Sequence, residues 1–138
     1  ANCPFPNTPL FTHVPPVDEK ELTNYYAKAK VFVLPSRAEG LALVLAQAVV
    51  SGLPVVYSKD TGGHDIKKLI EPKGDFMFEM ESFSEESLKA CIEKALMAYQ
   101  NQPDGVPRNY TVPQKLEKLT WTAYGQRYET LFHKLINE

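Results

Sequence analysis

Two short stretches of the chain are apolar at almost every position. Val31-Phe32-Val33-Leu34 and Pro54-Val55-Val56-Tyr57-Ser58 show no alternation of polar and apolar residues. Runs of this kind fit strands covered on both faces, as in parallel sheets. The first is read as a central strand ended by Pro35, and the second as the next buried strand. Leu10-Phe11-Thr12-His13-Val14 reads as a further short strand, stopped by Pro15-Pro16. Asp75-Phe76-Met77-Phe78-Glu79 reads as a weaker strand at an edge.

Between these runs the pattern is helical. Val17 or Asp18 opens a helix through about Ala29, with Asp18, Glu19 and Glu21 early and Lys28 late, the order the helix dipole favours. A second helix runs from Gly40 to Ser51 and stops at Gly52. Its positions 41–46 are all apolar, so protein should cover it on most sides. Gly62-Gly63 marks a turn before a short helix from Asp65 to Ile70. Ser84 caps a helix from Glu85 to about Gln100, without a capping box because Ser87 stands where Glu or Gln would. A terminal helix from about Thr120 to Ile136 aligns Trp121, Tyr124, Tyr128, Leu131, Phe132 and Leu135 on one face. The order β-α-β-α-β-α-β-α-α predicts an α/β domain with a parallel sheet and right-handed crossovers.

Composition narrows the partners. The 138 residues are 43% hydrophobic, which suits one domain with a single core. A net charge of −2 gives no electrostatic grip on nucleic acid or on an anionic membrane. Cys3 and Cys91 make neither a disulfide framework nor a zinc site, so a reducing, cytoplasmic setting is expected. His13, His64 and His133 lack ligand-like spacing, and neither a metal nor a cofactor is expected. The start, Ala1-Asn2-Cys3-Pro4-Phe5-Pro6, has no signal-peptide pattern. Ala1 in place of Met implies a processed or excised start.

Open parallel sheets bind ligands beyond the carboxyl ends of their strands. One such end is Pro35-Ser36-Arg37-Ala38-Glu39-Gly40, which leads into the apolar helix. A helix start offers free N–H groups and about half a positive charge to an anion. Gly40 lets a ligand approach the backbone. Two roles are open to Glu39: capping that helix, or accepting hydrogen bonds from sugar hydroxyls. Gln47 lies about 12 Å further along the helix axis and about 80° around it. It either meets the same long ligand or is a core amide satisfied by a neighbouring backbone group. Arg37 faces a diphosphate or water. The turn at Gly62-Gly63 can expose amides to an anion, a weak signal by itself. His13 and His64 are further candidates at strand ends, and His133 reads as a surface residue.

The stretch Tyr25 to Leu41, with its Pro35-Ser36-x-x-Glu39-Gly40-Leu41 segment, then Gln47 to Val56 and Gly62-Gly63, resembles the group 1 glycosyltransferases. These are retaining enzymes of the GT-B fold, with two Rossmann-like domains and the active site between them. The resemblance runs from about Val14 to Leu96, and more loosely through Trp121 to Leu131. It implies an incomplete GT-B C-terminal domain: an extended lead-in over 1–9, a partial Rossmann-like donor-binding domain over 10–118, and a helix over 119–138 that crosses back to the N-terminal domain. It also implies that Glu39 is catalytic and contacts the donor sugar, and that the backbone at Gly40-Leu41-Ala42 meets the diphosphate or sugar. The family's second signature glutamate, which holds the ribose, maps onto Gln47. An uncharged amide there weakens donor binding about tenfold. Asp65 only approximately matches the acidic residue after the Gly-Gly pair. The family's diphosphate-gripping Arg and Lys sit on an earlier strand-loop-helix unit, and only a proline-rich lead precedes Leu10.

The resemblance thus predicts the donor-binding portion of a hexosyltransferase, acting from a UDP or GDP sugar to a glycan or lipid acceptor, as in polysaccharide biosynthesis. Its partners would be the nucleotide-sugar, an N-terminal acceptor domain in a longer chain, and an acceptor that a membrane can carry. Alone, the chain is expected to be inactive and to self-associate through its exposed edge and apolar face. The competing expectation is a degenerate module that keeps the fold for binding or interaction and has lost catalysis.

Overall fold

Three parallel strands pair in the order β1 (Phe32–Leu34), β2 (Val55–Tyr57), β3 (Met77–Glu79). The register sets Val33 beside Val56 and Val56 beside Phe78. The computed structural model describes residues 8–40, 43–70, 76–101 and 121–137. The expectations for Leu41, Ala42, Asp75, the extended lead-in up to Asn7 and the loop from Gln102 lie outside those residues.

Helices separate the strands. They are α1 (Glu19–Lys28), α2 (Leu43–Val50), α3 (Gly63–Ile70) and α4 (Glu85–Gln100), with α5 (Trp121–Asn137) closing the chain. The result is an α/β fold with a parallel sheet between helical layers, as a partial Rossmann-like domain of the GT-B kind would have. Alternation along β2 explains the layers. Val55 and Tyr57 point into a core with Tyr26 of α1, Leu45 and Val49 of α2, and Ile66 of α3. Val56 points the other way, to Met80 and to Cys91 and Ala95 of α4.

Local chemistry sets the helix ends. Asp18 caps α1 by accepting from the Glu21 amide at 2.8 Å. Ser84 caps α4 by accepting from the Ser87 amide at 3.2 Å. The Ser87 hydroxyl in turn accepts from the Ser82 amide at 3.3 Å, so a serine reaches back where a capping box would use a glutamate. After α2, the Leu53 amide reaches the Ala48 carbonyl at 3.1 Å and the Gly52 amide the Val49 carbonyl at 3.0 Å. With Gly52 at φ 74°, this is a Schellman stop.

The structure corrects the sequence reading in three places. Leu10–Val14 is not a strand. The Leu10 and Phe11 amides turn back onto Thr8, and Leu10 is 96% exposed. The flanking prolines Pro9, Pro15 and Pro16 offer no ladder donors. Among the described residues the central strand is β2, not β1. Both runs are apolar, but only β2 has a described neighbour on each side, and β1 is half-buried at an edge of the described sheet. Finally, the described part of the apolar helix begins at Leu43, and protein covers one side of it. Leu45, Ala46, Ala48 and Val49 are buried while Leu43, Val44 and Val50 face solvent.

Candidate functional site

The carboxyl ends of β1 and β2 are tied to each other. The Ser58 amide donates to the Leu34 carbonyl at 3.3 Å, extending the ladder by one step. The Ser58 hydroxyl donates to the Ser36 carbonyl. One step out, the Glu39 amide donates to the Asp60 carbonyl at 2.7 Å. Thr61, fully buried, donates to the Ser58 carbonyl at 2.7 Å and locks the second turn from below. Ser58 and Thr61 are the buried polar residues of the described core, and both are satisfied.

This frame positions Glu39. Its carboxylate Oε1 accepts from the Ser36 hydroxyl at 2.9 Å, while the residue itself stays exposed. One carboxylate oxygen is therefore steadied and the side chain still opens to solvent. Gly40 follows, with nothing within 4 Å of where a Cβ would stand, so its backbone is approachable from outside. The two glycines of the next turn differ from each other. Gly62 takes φ 76°, in the left-handed region that favours glycine. Gly63 has no space for a Cβ, which would run into the Tyr57 ring. The constraint at Gly63 is packing.

Gln47 is held from α1. The Tyr26 hydroxyl lies 3.5 Å from Gln47 Oε1 and 3.4 Å from the Val44 carbonyl oxygen, and it can donate to either. Gln47 is half-buried there. Burial pushes the Tyr26 phenol above its usual value and so keeps it a proton donor. Tyr57 is pushed up to about 12 by burial, then by Glu79 and Cys91. Burial also raises the Cys91 thiol, which donates to the Glu79 carbonyl at 3.4 Å. A buried, protonated thiol of this kind is a small core residue and not a nucleophile.

A cavity of about 320 Å³ opens at the same carboxyl edge. Ser36 and Arg37 form one wall, Ser58, Lys59 and Asp60 the second, and the exit from β3, Met80 to Phe83, the third. Arg37 reaches across, its guanidinium 5.0 Å from the centre of the Phe83 ring. The cavity thus brings Ser36 and Arg37 together with the turn after β2. Glu39, Gly40, Gln47, Gly62 and Gly63 do not line it. The cavity also takes in Glu81 and Phe83, which the motif does not single out. The signal for them is their position two and four residues past the end of β3. Tyr26 as the partner of Gln47 had no such signal, because 21 residues separate them. His13 and His64 are exposed, and His133 sits 3.9 Å from Glu129 on the surface of α5. Among the described residues, no cluster of His, Cys, Asp or Glu forms a metal-binding group, and no helix is long and apolar enough to cross a membrane.

Comparison with known proteins gives the family. Residues 7–97 match the family described as Glycosyl transferases group 1. The chain is 32% identical over 120 residues to a sulfoquinovosyl transferase of Arabidopsis thaliana, covering 83% of this chain and 22% of that protein. It is 41% identical over 53 residues to a D-inositol 3-phosphate glycosyltransferase of an Arthrobacter species, covering 38% of this chain and 13% of that one. A Haemophilus influenzae protein named as an uncharacterized glycosyltransferase shares 35% over 66 residues, 47% of this chain and 18% of its own. The chain therefore spans about a fifth or less of the length of these relatives. No solved structure matches it. The chain belongs to the group 1 glycosyltransferases, a family whose chemistry is glycosyl transfer.

Proposed function

We propose that the chain is the donor-binding portion of a retaining glycosyltransferase that moves a sugar from a UDP or GDP carrier to a glycan or lipid acceptor. The observation that carries this reading is the fixed turn at Glu39, its amide on Asp60 and its carboxylate steadied by Ser36, beside the open backbone of Gly40. In this reading Glu39 accepts hydroxyls of the donor sugar, and its preset position lowers the reorganisation needed as charge develops. Gln47 serves the ribose, steadied by Tyr26. The acceptor and the remaining contacts to the nucleotide belong to an N-terminal domain of a longer protein. The small share of each relative that the chain spans supports that arrangement.

One observation favours a second reading, a degenerate binding module. The carbonyl oxygen of Gln47 already has a phenol beside it at 3.5 Å. Calorimetry on the longest natural form of the protein, with UDP, GDP and their sugars, separates the two. On the donor reading Glu39→Ala lowers affinity or turnover about tenfold to a hundredfold, the worth of a charged hydrogen bond. Gln47→Glu then keeps or raises donor affinity. On the second reading no nucleotide gives heat, Glu39→Ala changes nothing, and Gln47→Glu only lowers the melting temperature by placing a charge in a half-buried site.

A further inference from the structure

Two hydroxyls lie inside a described core that is otherwise built from hydrophobic side chains. Ser58 is 4% exposed and Thr61 is fully buried. A buried hydroxyl gives up water and regains little more than its own hydrogen bond. Apolar groups of the same shape fill such a site at no net loss, so packing alone does not call for these hydroxyls. Their partners do. Thr61 donates to the Ser58 carbonyl at 2.7 Å and closes the 58–61 turn on itself. The closed turn then holds the neighbouring turn at two points. The Asp60 carbonyl accepts from the Glu39 amide at 2.7 Å, and the Ser58 hydroxyl donates to the Ser36 carbonyl.

The second point bears on the Glu39 carboxylate. Among the described residues no cation pairs with Glu39, and the Ser36 hydroxyl, 2.9 Å from Oε1, is what orients this exposed side chain. A long, exposed carboxylate gives up rotamer freedom when it is held in one direction. A single hydrogen bond holds it there only if the donor is itself fixed. Ser36 is fixed from behind. The Ser58 amide donates to the Leu34 carbonyl two residues upstream, at 3.3 Å, and the Ser58 hydroxyl takes the carbonyl of Ser36 itself. Without that hydroxyl the Ser36 carbonyl loses its described partner, and the peptide beside the Ser36 side chain is released.

We propose that Ser58 is a positioning residue for Glu39. Its hydroxyl, committed to the Ser36 carbonyl, fixes the main chain at Ser36 and so the direction from which the Ser36 hydroxyl meets Glu39 Oε1. A residue at the end of β2 thereby aims a carboxylate in the turn after β1. The consequence for ligand affinity rests on the donor reading of Glu39 given above, and the positioning itself does not.

Carbon-13 relaxation of the glutamate side chains, measured without ligand on the longest natural form of the protein, tests the positioning. The Glu39 side chain is expected to be more ordered than that of Glu85, which is also exposed. Ser36→Ala and Ser58→Ala are each expected to bring Glu39 to the level of Glu85, whereas Ser36→Thr, which keeps the hydroxyl, retains the order. Ser58→Cys, similar in size and a weaker donor, should fall between, and it serves in place of Ser58→Ala should that variant fail to fold. Order at Glu39 that is unchanged by substitution of Ser58 overturns the proposal, as does a Glu39 no more ordered than Glu85 in the unsubstituted protein. Calorimetry with UDP-glucose and GDP-glucose reads the consequence. Ser58→Ala is expected to weaken donor binding about threefold to tenfold, the worth of one hydrogen bond. In a Glu39→Ala background the same substitution should weaken it about twofold or less, because its route to the ligand is gone. Equal weakening in both backgrounds marks a general effect on the fold and overturns the proposal. Absence of heat with either compound in the unsubstituted protein fails the donor reading alone, and the relaxation result still decides the positioning.

Discussion

At the scale of single residues, two glycines that both follow a strand end and lead into a helix differ in what they require. A Cβ at Gly63 collides with the ring of Tyr57, itself 1% exposed and unable to yield. Gly63→Ala should cost about 1–3 kcal/mol, the usual penalty of overpacking, read as a lower urea midpoint. Gly40→Ala meets open space, so its midpoint should barely move, and any loss it causes should appear in ligand binding. Tyr57 makes a second prediction. Its phenol titrates at about 12 in the folded chain against an ordinary 10.0. Between those values the unfolded chain has released a proton that the folded chain keeps. Stability is therefore intact below pH 10 and falls as pH rises toward 12, by at most about 1.4 kcal/mol per pH unit from this group. Denaturation in urea across that range should show the fall, and Tyr57→Phe should flatten it. The distinction between Gly40 and Gly63 was not legible in the sequence. It depends on which ring lies opposite, and Tyr57 reaches Gly63 through the packing of β2 against α3.

At the scale of elements, helix ends were legible because their causes are local. Asp18 before two early acids, Gly52 after an apolar run and Ser84 before Glu85-Glu86 each announce a boundary within a few residues. The structure confirms all three. Ser84→Ala should destabilise the chain by about 1 kcal/mol, seen as a lower thermal midpoint. Ser87→Ala should cost a fraction of that, because its hydroxyl serves only the Ser82 amide. Strands were less legible. An apolar run states that a strand is buried but not where it lies in the sheet. The equally apolar runs of β1 and β2 therefore do not say which of the two is central. Leu10–Val14 has strand-like residues, yet a ladder needs a partner far along the chain, and no composition can supply that.

At the scale of the whole molecule, large apolar side chains stand exposed. On α5 these are Tyr128, Leu131, Phe132, Leu135 and Ile136, and Leu43 and Val50 add to them on α2. Exposed apolar surface such as the face of α5 drives association. Sedimentation at several concentrations should give a mass that rises with concentration, and Leu131→Glu with Phe132→Glu should reduce it. The site was legible as an edge, since strand ends point to it, and as the motif around Glu39. Its joinery was not. The ties from Ser58 to Ser36 and from Glu39 to Asp60 link residues 22 and 21 positions apart, the first through a serine hydroxyl onto a main-chain carbonyl and the second through main-chain atoms alone. One of those ties has a practical consequence. The Glu39 amide belongs to a solvent-exposed residue, yet it is bonded at 2.7 Å across two turns. Its hydrogen should exchange with deuterium far more slowly than those of neighbouring loop amides, because exchange requires the two turns to part. A ligand that clamps the edge should slow that exchange further, and one that wedges the turns open should speed it. A single backbone amide would then report, without any assay of turnover, whether a compound has found this edge.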